Sequence, residues 1–168
     1  MKKTLVSLSM LALLGAVSGY ANAEVRADVA PTQGNTVKGS VTFTPEANGV
    51  KVVANISGLT PGAHGFHIHE RGDCSAPDAT SAGGHFNPTQ QPHGKTDDNA
   101  HHVGDLPPLE ADAAGNATLS VVVQGVALSG DNTIVGRGLI VHAAPDDFTT
   151  QPTGNAGGRV ACGVVSDK

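Results

Sequence analysis

The sequence predicts an all-β domain, a β-sandwich or flattened barrel of about eight strands, and three observations carry that reading. Short segments rich in Val and Thr alternate apolar and polar residues with period two. Gly, Pro, Asn and Asp fall between them. After residue 23 no apolar stripe of helical period runs unbroken for three turns, and the 20 glycines that remain of 22, with 10 prolines, would interrupt one.

The chain opens with Lys2 and Lys3, an apolar run from Leu5 to Val17, and Ala21-Asn22-Ala23. A charged start, a short apolar centre and an A-x-A site are the parts of a secretory signal peptide. Residues 1–23 are therefore expected to be cleaved, leaving one domain over residues 24–168. The apolar run is short for a membrane span and contains Ser7, Ser9 and Gly15. No Cys lies near Ala23 to accept a lipid, so no membrane anchor is expected and the mature protein should be soluble.

Strands follow in order. Val37–Phe43 puts Val37, Val41 and Phe43 on one face. Val50–Ile56 puts Val50, Val52, Ala54 and Ile56 inward. His67-Ile68-His69 reads as a strand, as do Thr118–Val123, Gly138–His142 and Arg159–Val165. Two connections, roughly 70–108 and 143–158, are too long for hairpins, and loops of that length in a small domain are usually functional. There is enough chain for one core and not two.

Removing Lys2 and Lys3 leaves 8 Lys+Arg against 15 Asp+Glu, a net charge of −7 for the mature chain. The mature chain has no Trp, Tyr or Met, and its aromatics are Phe43, Phe66, Phe86 and Phe148. A nucleic-acid partner, which calls for a basic patch or stacking aromatics, is not expected. Cys74 and Cys162 are an even pair in an exported chain, which favours a disulfide over two free thiols. Closing a loop of about 90 residues would stabilise the fold by roughly 4–5 kcal/mol. Asn55-Ile56-Ser57 and Asn116-Ala117-Thr118 match glycosylation sequons, but in a chain with a bacterial-looking signal no sugar is expected.

All eight histidines lie in the mature chain, most of them in one stretch. On a strand His67 and His69 face the same way, about 7 Å apart, so two imidazoles can converge on one cation. His85, His93, His102 and Asp105 supply three imidazoles and a carboxylate, a closed tetrahedral shell of the kind structural zinc uses. The bland alternative is a solvated His-rich loop. His142 ends an apolar strand, where a histidine is usually a rim residue, but beside the others it reads as a ligand, and imidazole-rich sites suit copper.

Gly65-Phe66-His67-Ile68-His69-Glu70, Gly84-His85-Phe86-Asn87-Pro88, His102-Val103-Gly104-Asp105-Leu106 and Gly154–Gly163 resemble copper/zinc superoxide dismutase, over residues 35–166. The resemblance implies a Greek-key fold and the dismutation of superoxide to oxygen and hydrogen peroxide. It implies one copper on His67, His69, His85 and His142, and one zinc on His85, His93, His102 and Asp105, with His85 shared. It also implies a Cys74–Cys162 disulfide, Arg159 as the active-site arginine that attracts the substrate, and His85 as a proton carrier. Asp146 matches a carboxylate linking a copper histidine to a zinc histidine, with Asp147 beside it as the alternative. His64 matches a position that does not bind metal. Composition leaves His101 and His102 equivalent; the family spacing selects His102, with His101 left as a solvated loop residue.

The Cys74–His85 separation and Gly104-Asp105-Leu106-Pro107-Pro108 have a bacterial look, which with the signal points to the periplasm. The second long loop carries no lysine, so family steering by lysines there is not implied. Either a monomer or a homodimer fits the sequence. The competing readings are a non-catalytic copper carrier on the same fold, a copper-only dismutase and a zinc hydrolase. The carrier would be favoured by loss of a copper histidine or of the arginine. The copper-only enzyme would lack His93 or Asp105. The hydrolase needs an open ligand position and a Glu base, and Glu70, next to His69 on a strand, faces the other way.

Overall fold

The computed structural model describes residues 24–167; the expected signal segment lies outside them. Ten strands run in chain order: β1 Val25–Pro31, β2 Lys38–Glu46, β3 Gly49–Ser57, β4 Gly62–His64, β5 Phe66–His69, β6 Leu109–Ala111, β7 Ala117–Val123, β8 Gly138–His142, β9 Arg159–Val164 and β10 Ser166–Asp167. The described residues contain no α-helix, only one 3-10 turn, Thr80–Ala82. Every segment read as a strand is one, within a residue at its ends except that β2 runs on past Phe43 to Glu46. The strands not named from the sequence are β1 and the two- and three-residue β4, β6 and β10. β1 carried its own signal in the alternation Val25, Ala27, Val29, all buried.

All pairings between these strands are antiparallel. The spatial order is β4-β6-β7-β3-β2-β1-β9-β8-β5, with β10 beside β1. β4 and β5 lie at opposite ends of that order, yet only Gly65 separates them in the chain. The sheet therefore curls until its two edges nearly meet, a flattened Greek-key barrel. β1 is the hinge of the curl, pairing with β2 over Val25–Val29 and with β9 over Ala30–Pro31.

The alternation explains the core. Val41, Phe43, Val52, Ala54 and Val123 from one side meet Phe66, Ile68, Leu139 and Val141 from the other, all buried. A second, smaller cluster of Ala79, Ala82, Ile140 and Cys162 lies under the first long loop, with Cys74 packed against it. Ile140 faces opposite to Leu139 and Val141, so the outer side of β8 is buried too, and the loops are what bury it.

Candidate metal centre

Because β5 alternates, Phe66 and Ile68 enter the core while His67 and His69 stand on the outer side. The free edge of β5 is paired by pieces of the first long loop. Phe86 N–H donates to Ile68 O (2.9 Å), Ile68 N–H to Gly104 O (2.8 Å) and Glu70 N–H to Gly84 O (2.9 Å). This register sets His85 opposite His69 and Asp105 opposite His67. Gly104 permits it, since a Cβ there would run into the Ile68 carbonyl.

His142 and Arg159 are brought in by a β-bulge. β8 and β9 pair Val141 with Ala161, then His142 with Arg159, so Val160 is the extra residue. An extra residue flips the side-chain parity of what precedes it. Without it Val160 would stand opposite His142; with it Arg159 does. Period-two reading of the sequence cannot find that shift.

The first group is His67, His69, His85 and His142, all buried, each offering one ligand atom, and these atoms lie within 4.8 Å of one another. The outward nitrogen of each ring has a partner. His67 Nε2–H donates to Asp146 Oδ2 (2.6 Å), His69 Nδ1–H to Gly83 O (3.0 Å), His85 Nδ1–H to Asp105 Oδ1 (2.9 Å) and His142 Nδ1–H to Gly157 O (3.2 Å). A neutral imidazole has one N–H, so the other nitrogen is a bare lone pair. Those nitrogens, His67 Nδ1, His69 Nε2, His85 Nε2 and His142 Nε2, are buried without any hydrogen-bond partner. Four buried lone pairs facing one another are costly unless a cation joins them. Burial, then the charge of neighbouring histidines, lowers the His85 pKa to about 4 and that of His142 to about 3. His69 is also lowered by burial first and His85 second. All three are therefore neutral at pH 7, the form that ligates metal.

The second group is His85, His93, His102 and Asp105, also buried, with ligand atoms within 4.8 Å of one another. Asp105 Oδ1 faces His85 Nδ1 at 2.9 Å, His93 Nδ1 at 3.1 Å and His102 Nδ1 at 3.5 Å. Its Oδ2 accepts from the main-chain N–H groups of His102 (2.8 Å) and Gly94 (3.2 Å), which fixes the carboxylate. Burial opposes ionisation of Asp105, but bonds from His102, His85 and His93 outweigh it and hold the carboxyl far below its usual range. Burial alone would lower His93; its bonds to Asp105 and Asp146 instead raise it to about 9.

Asp146 stands between the two groups, taking His67 Nε2–H on Oδ2 and His93 Nε2–H on Oδ1 (2.9 Å). Asp147 is exposed, and its carboxylate bonds to Thr149 and Thr150 of its own turn and reaches neither group. Gly154 is what lets Asp146 in: it has φ +68°, and a Cβ there would meet Asp146 Oδ1 and His93 Nε2.

Arg159 is half-buried. Its Nη1 donates to Ala79 O and its Nη2 to Gly83 O, both at 2.6 Å. The Gly83 carbonyl thus holds both the arginine and His69. Ala79 and Gly83 flank the 3-10 turn, and the Cys74–Cys162 disulfide ties that loop to β9, three residues from Arg159.

A family model for copper/zinc superoxide dismutase matches residues 37–165. The Cu-Zn superoxide dismutase of Onchocerca volvulus is 44% identical over 149 residues, covering 82% of this chain and 94% of that one. The chain belongs to the copper/zinc superoxide dismutase family. A solved structure described as the clock protein EA4 is similar as well, with TM-score 0.80 and 39% identity, covering 89% of this chain and 98% of that one.

As a copper/zinc superoxide dismutase the protein dismutates superoxide, with copper and zinc as cofactors. The donor sets fit that pair: one all-imidazole group and one of three imidazoles and a carboxylate, sharing His85. The remaining histidines of the dismutase lie outside both groups. His64 is buried with Nδ1 2.8 Å from His142 O and Nε2 2.8 Å from Thr60 O, so it braces the backbone of His142. His101 is half-buried rather than fully solvated, because its Nδ1–H donates to His102 O (2.7 Å). Glu70 is exposed and accepts from Gly84 N–H (3.2 Å). What the sequence did not reveal are the carbonyls of Gly83 and Gly157, which select the tautomers of His69 and His142 through main-chain atoms that any residue type possesses.

Proposed function

We propose that this dismutase holds its copper on His67, His69, His85 and His142, and its zinc on His85, His93, His102 and Asp105. The observation that carries the reading is the ring of four inward imidazole nitrogens, each fixed as a lone pair by what its opposite nitrogen donates to. When bound, copper supplies the one-electron redox couple that turns two superoxide anions and two protons into oxygen and hydrogen peroxide, and zinc supplies none. His85 would be the ligand shared by both metals, and its Nε2, when not engaged as a ligand, is the atom that would hold a proton and pass it to peroxide. Asp146 locks the rings of His67 and His93 in orientation, as carboxylates behind metal-bound histidines do.

The substrate is a small anion and the mature chain carries −7, so attraction has to be local. Arg159 is the fixed cation beside the first group, and its charge is felt at His69 and His142, after burial and the histidine neighbours. Focusing of the field by a cleft, already described for superoxide dismutases, suits such a geometry.

The site of action we propose is the periplasm, after removal of residues 1–23, in a protein of the bacterial secreted type. Lys2, Lys3, the apolar run, Ala21-Asn22-Ala23 and the oxidised Cys74–Cys162 pair support this. The deciding measurement is the superoxide decay rate of residues 24–168, fully loaded and then chelator-stripped, with copper and zinc counted on the same sample. A fast rate that tracks copper occupancy is expected. Two bound metals with no decay above the stripped control would overturn the assignment and favour a copper carrier.

A further inference from the structure

We propose that Gln151 is a positioning residue for the zinc group: its side-chain amide grips the main chain of His93 and so sets where His93 Nδ1 stands. His93 lies in the first long loop, outside every strand, and is buried. Both of its ring nitrogens are committed, Nδ1 toward Asp105 and Nε2 to Asp146. Its main-chain N–H and C=O, which a buried residue must also satisfy, have no main-chain partner among the described residues. Gln151 takes both. Its Oε1 accepts from His93 N–H (2.8 Å), and its Nε2 donates to His93 O (2.9 Å).

The pair of bonds closes a ring between a side chain and a backbone, as a neighbouring strand would do. A primary amide suits this because it offers a donor and an acceptor side by side. Gln151 Nε2 also donates to Thr149 O (3.3 Å), which anchors the amide within the second long loop. The clamp therefore joins that loop to the first across 58 residues of sequence. The bonds to Asp105 and Asp146 hold the ring but leave the main chain that carries it unanchored; the clamp fixes that main chain. Gln151 itself is exposed and belongs to neither metal group, so replacing it leaves the core intact.

This inference rests on His93 being a zinc ligand, so the experiment carries a control for that assignment. Copper- and zinc-loaded protein is prepared as the parent, Gln151→Met and His93→Ala. Zinc release to a chelator, the visible spectrum after cobalt(II) substitution of zinc, copper content and thermal midpoint are measured on each. Methionine keeps the length of the side chain and removes both polar ends. Gln151→Met is expected to release zinc about tenfold faster, the lower end of what outer partners of metal ligands contribute. Its cobalt bands should shift, with copper content at the parent level. Parent-like release and spectrum overturn the proposal, and so does a lowered thermal midpoint with both of those unchanged. If His93→Ala keeps its zinc as tightly as the parent, the zinc assignment itself falls.

Discussion

Arg159 is the residue whose role is most open to a single substitution. Its two 2.6 Å bonds run to main-chain carbonyls, so the guanidinium is held by the loop, and Asp78 is the acidic side chain whose charge it feels. Arg159→Ala is expected to keep both metals, slow superoxide turnover roughly tenfold and flatten its dependence on ionic strength, as removal of a focusing charge should. An unchanged rate and salt slope would remove Arg159 from the mechanism. Asp105 makes the complementary case. Among the described residues its Oδ1 is the only carboxylate oxygen facing the Nδ1 atoms of His85, His93 and His102. Asp105→Ala is therefore expected to lose zinc while copper stays near stoichiometric, read by metal analysis after dialysis. Full zinc retention would place a ligand elsewhere.

The longer strands other than β1 were legible, and the two long loops were legible only as loops, for a physical reason. A strand buried on one face writes its orientation into every second residue, as Val50, Val52, Ala54 and Ile56 do. Loop geometry is written in main-chain hydrogen bonds, which mark residue type only at close approaches such as Gly104 and Gly154. The spacing of histidines in 70–108 suggested a metal shell, yet their convergence depends on Phe86 and Gly104 pairing with Ile68. The bulge at Val160 is likewise invisible to a period-two reading, and it alone turns Arg159 toward His142. The disulfide is where a loop becomes testable as an element. It closes 88 residues, worth roughly 4–5 kcal/mol by constraining the unfolded chain. It also anchors the turn whose carbonyls, at Ala79 and Gly83, hold Arg159. Reduction, or Cys74→Ser, is expected to lower the thermal midpoint by ten degrees or more for a domain of about this size. Turnover should fall as well, with copper content unchanged. A reduced protein with parent-like turnover at a temperature where it remains folded would uncouple the disulfide from the arginine.

For the molecule as a whole, the barrel buries more imidazole than any other polar group, and this gives the metal-stripped protein an unusual dependence on pH. A free histidine titrates near 6.5. In the fold His85 is lowered to about 4, His142 to about 3, and His69 also lies well below its ordinary value. Below about pH 6.5 the unfolded chain takes up protons that these three rings refuse, so stability falls with decreasing pH, and the share due to His85 and His142 is complete once about pH 3 is passed. His93 works in the opposite sense. Raised to about 9 by Asp105 and Asp146 against its burial, it contributes fully below pH 6.5, and that contribution is lost as pH climbs through 9. Three groups against one make the acid side the steeper. The carboxyls of Asp105 and Asp146, both held below their usual range by histidine bonds that outweigh burial, add to the acid loss below about pH 4. The thermal midpoint of chelator-stripped protein should therefore peak near pH 6.5, decline gently toward pH 9 and drop sharply between pH 6 and pH 4. The acid loss is on the order of a few kcal/mol. A midpoint that stays level from pH 7 down to pH 4 would mean that these histidines are not held neutral by the fold, and the convergence of lone pairs on which the copper assignment rests would fail with it.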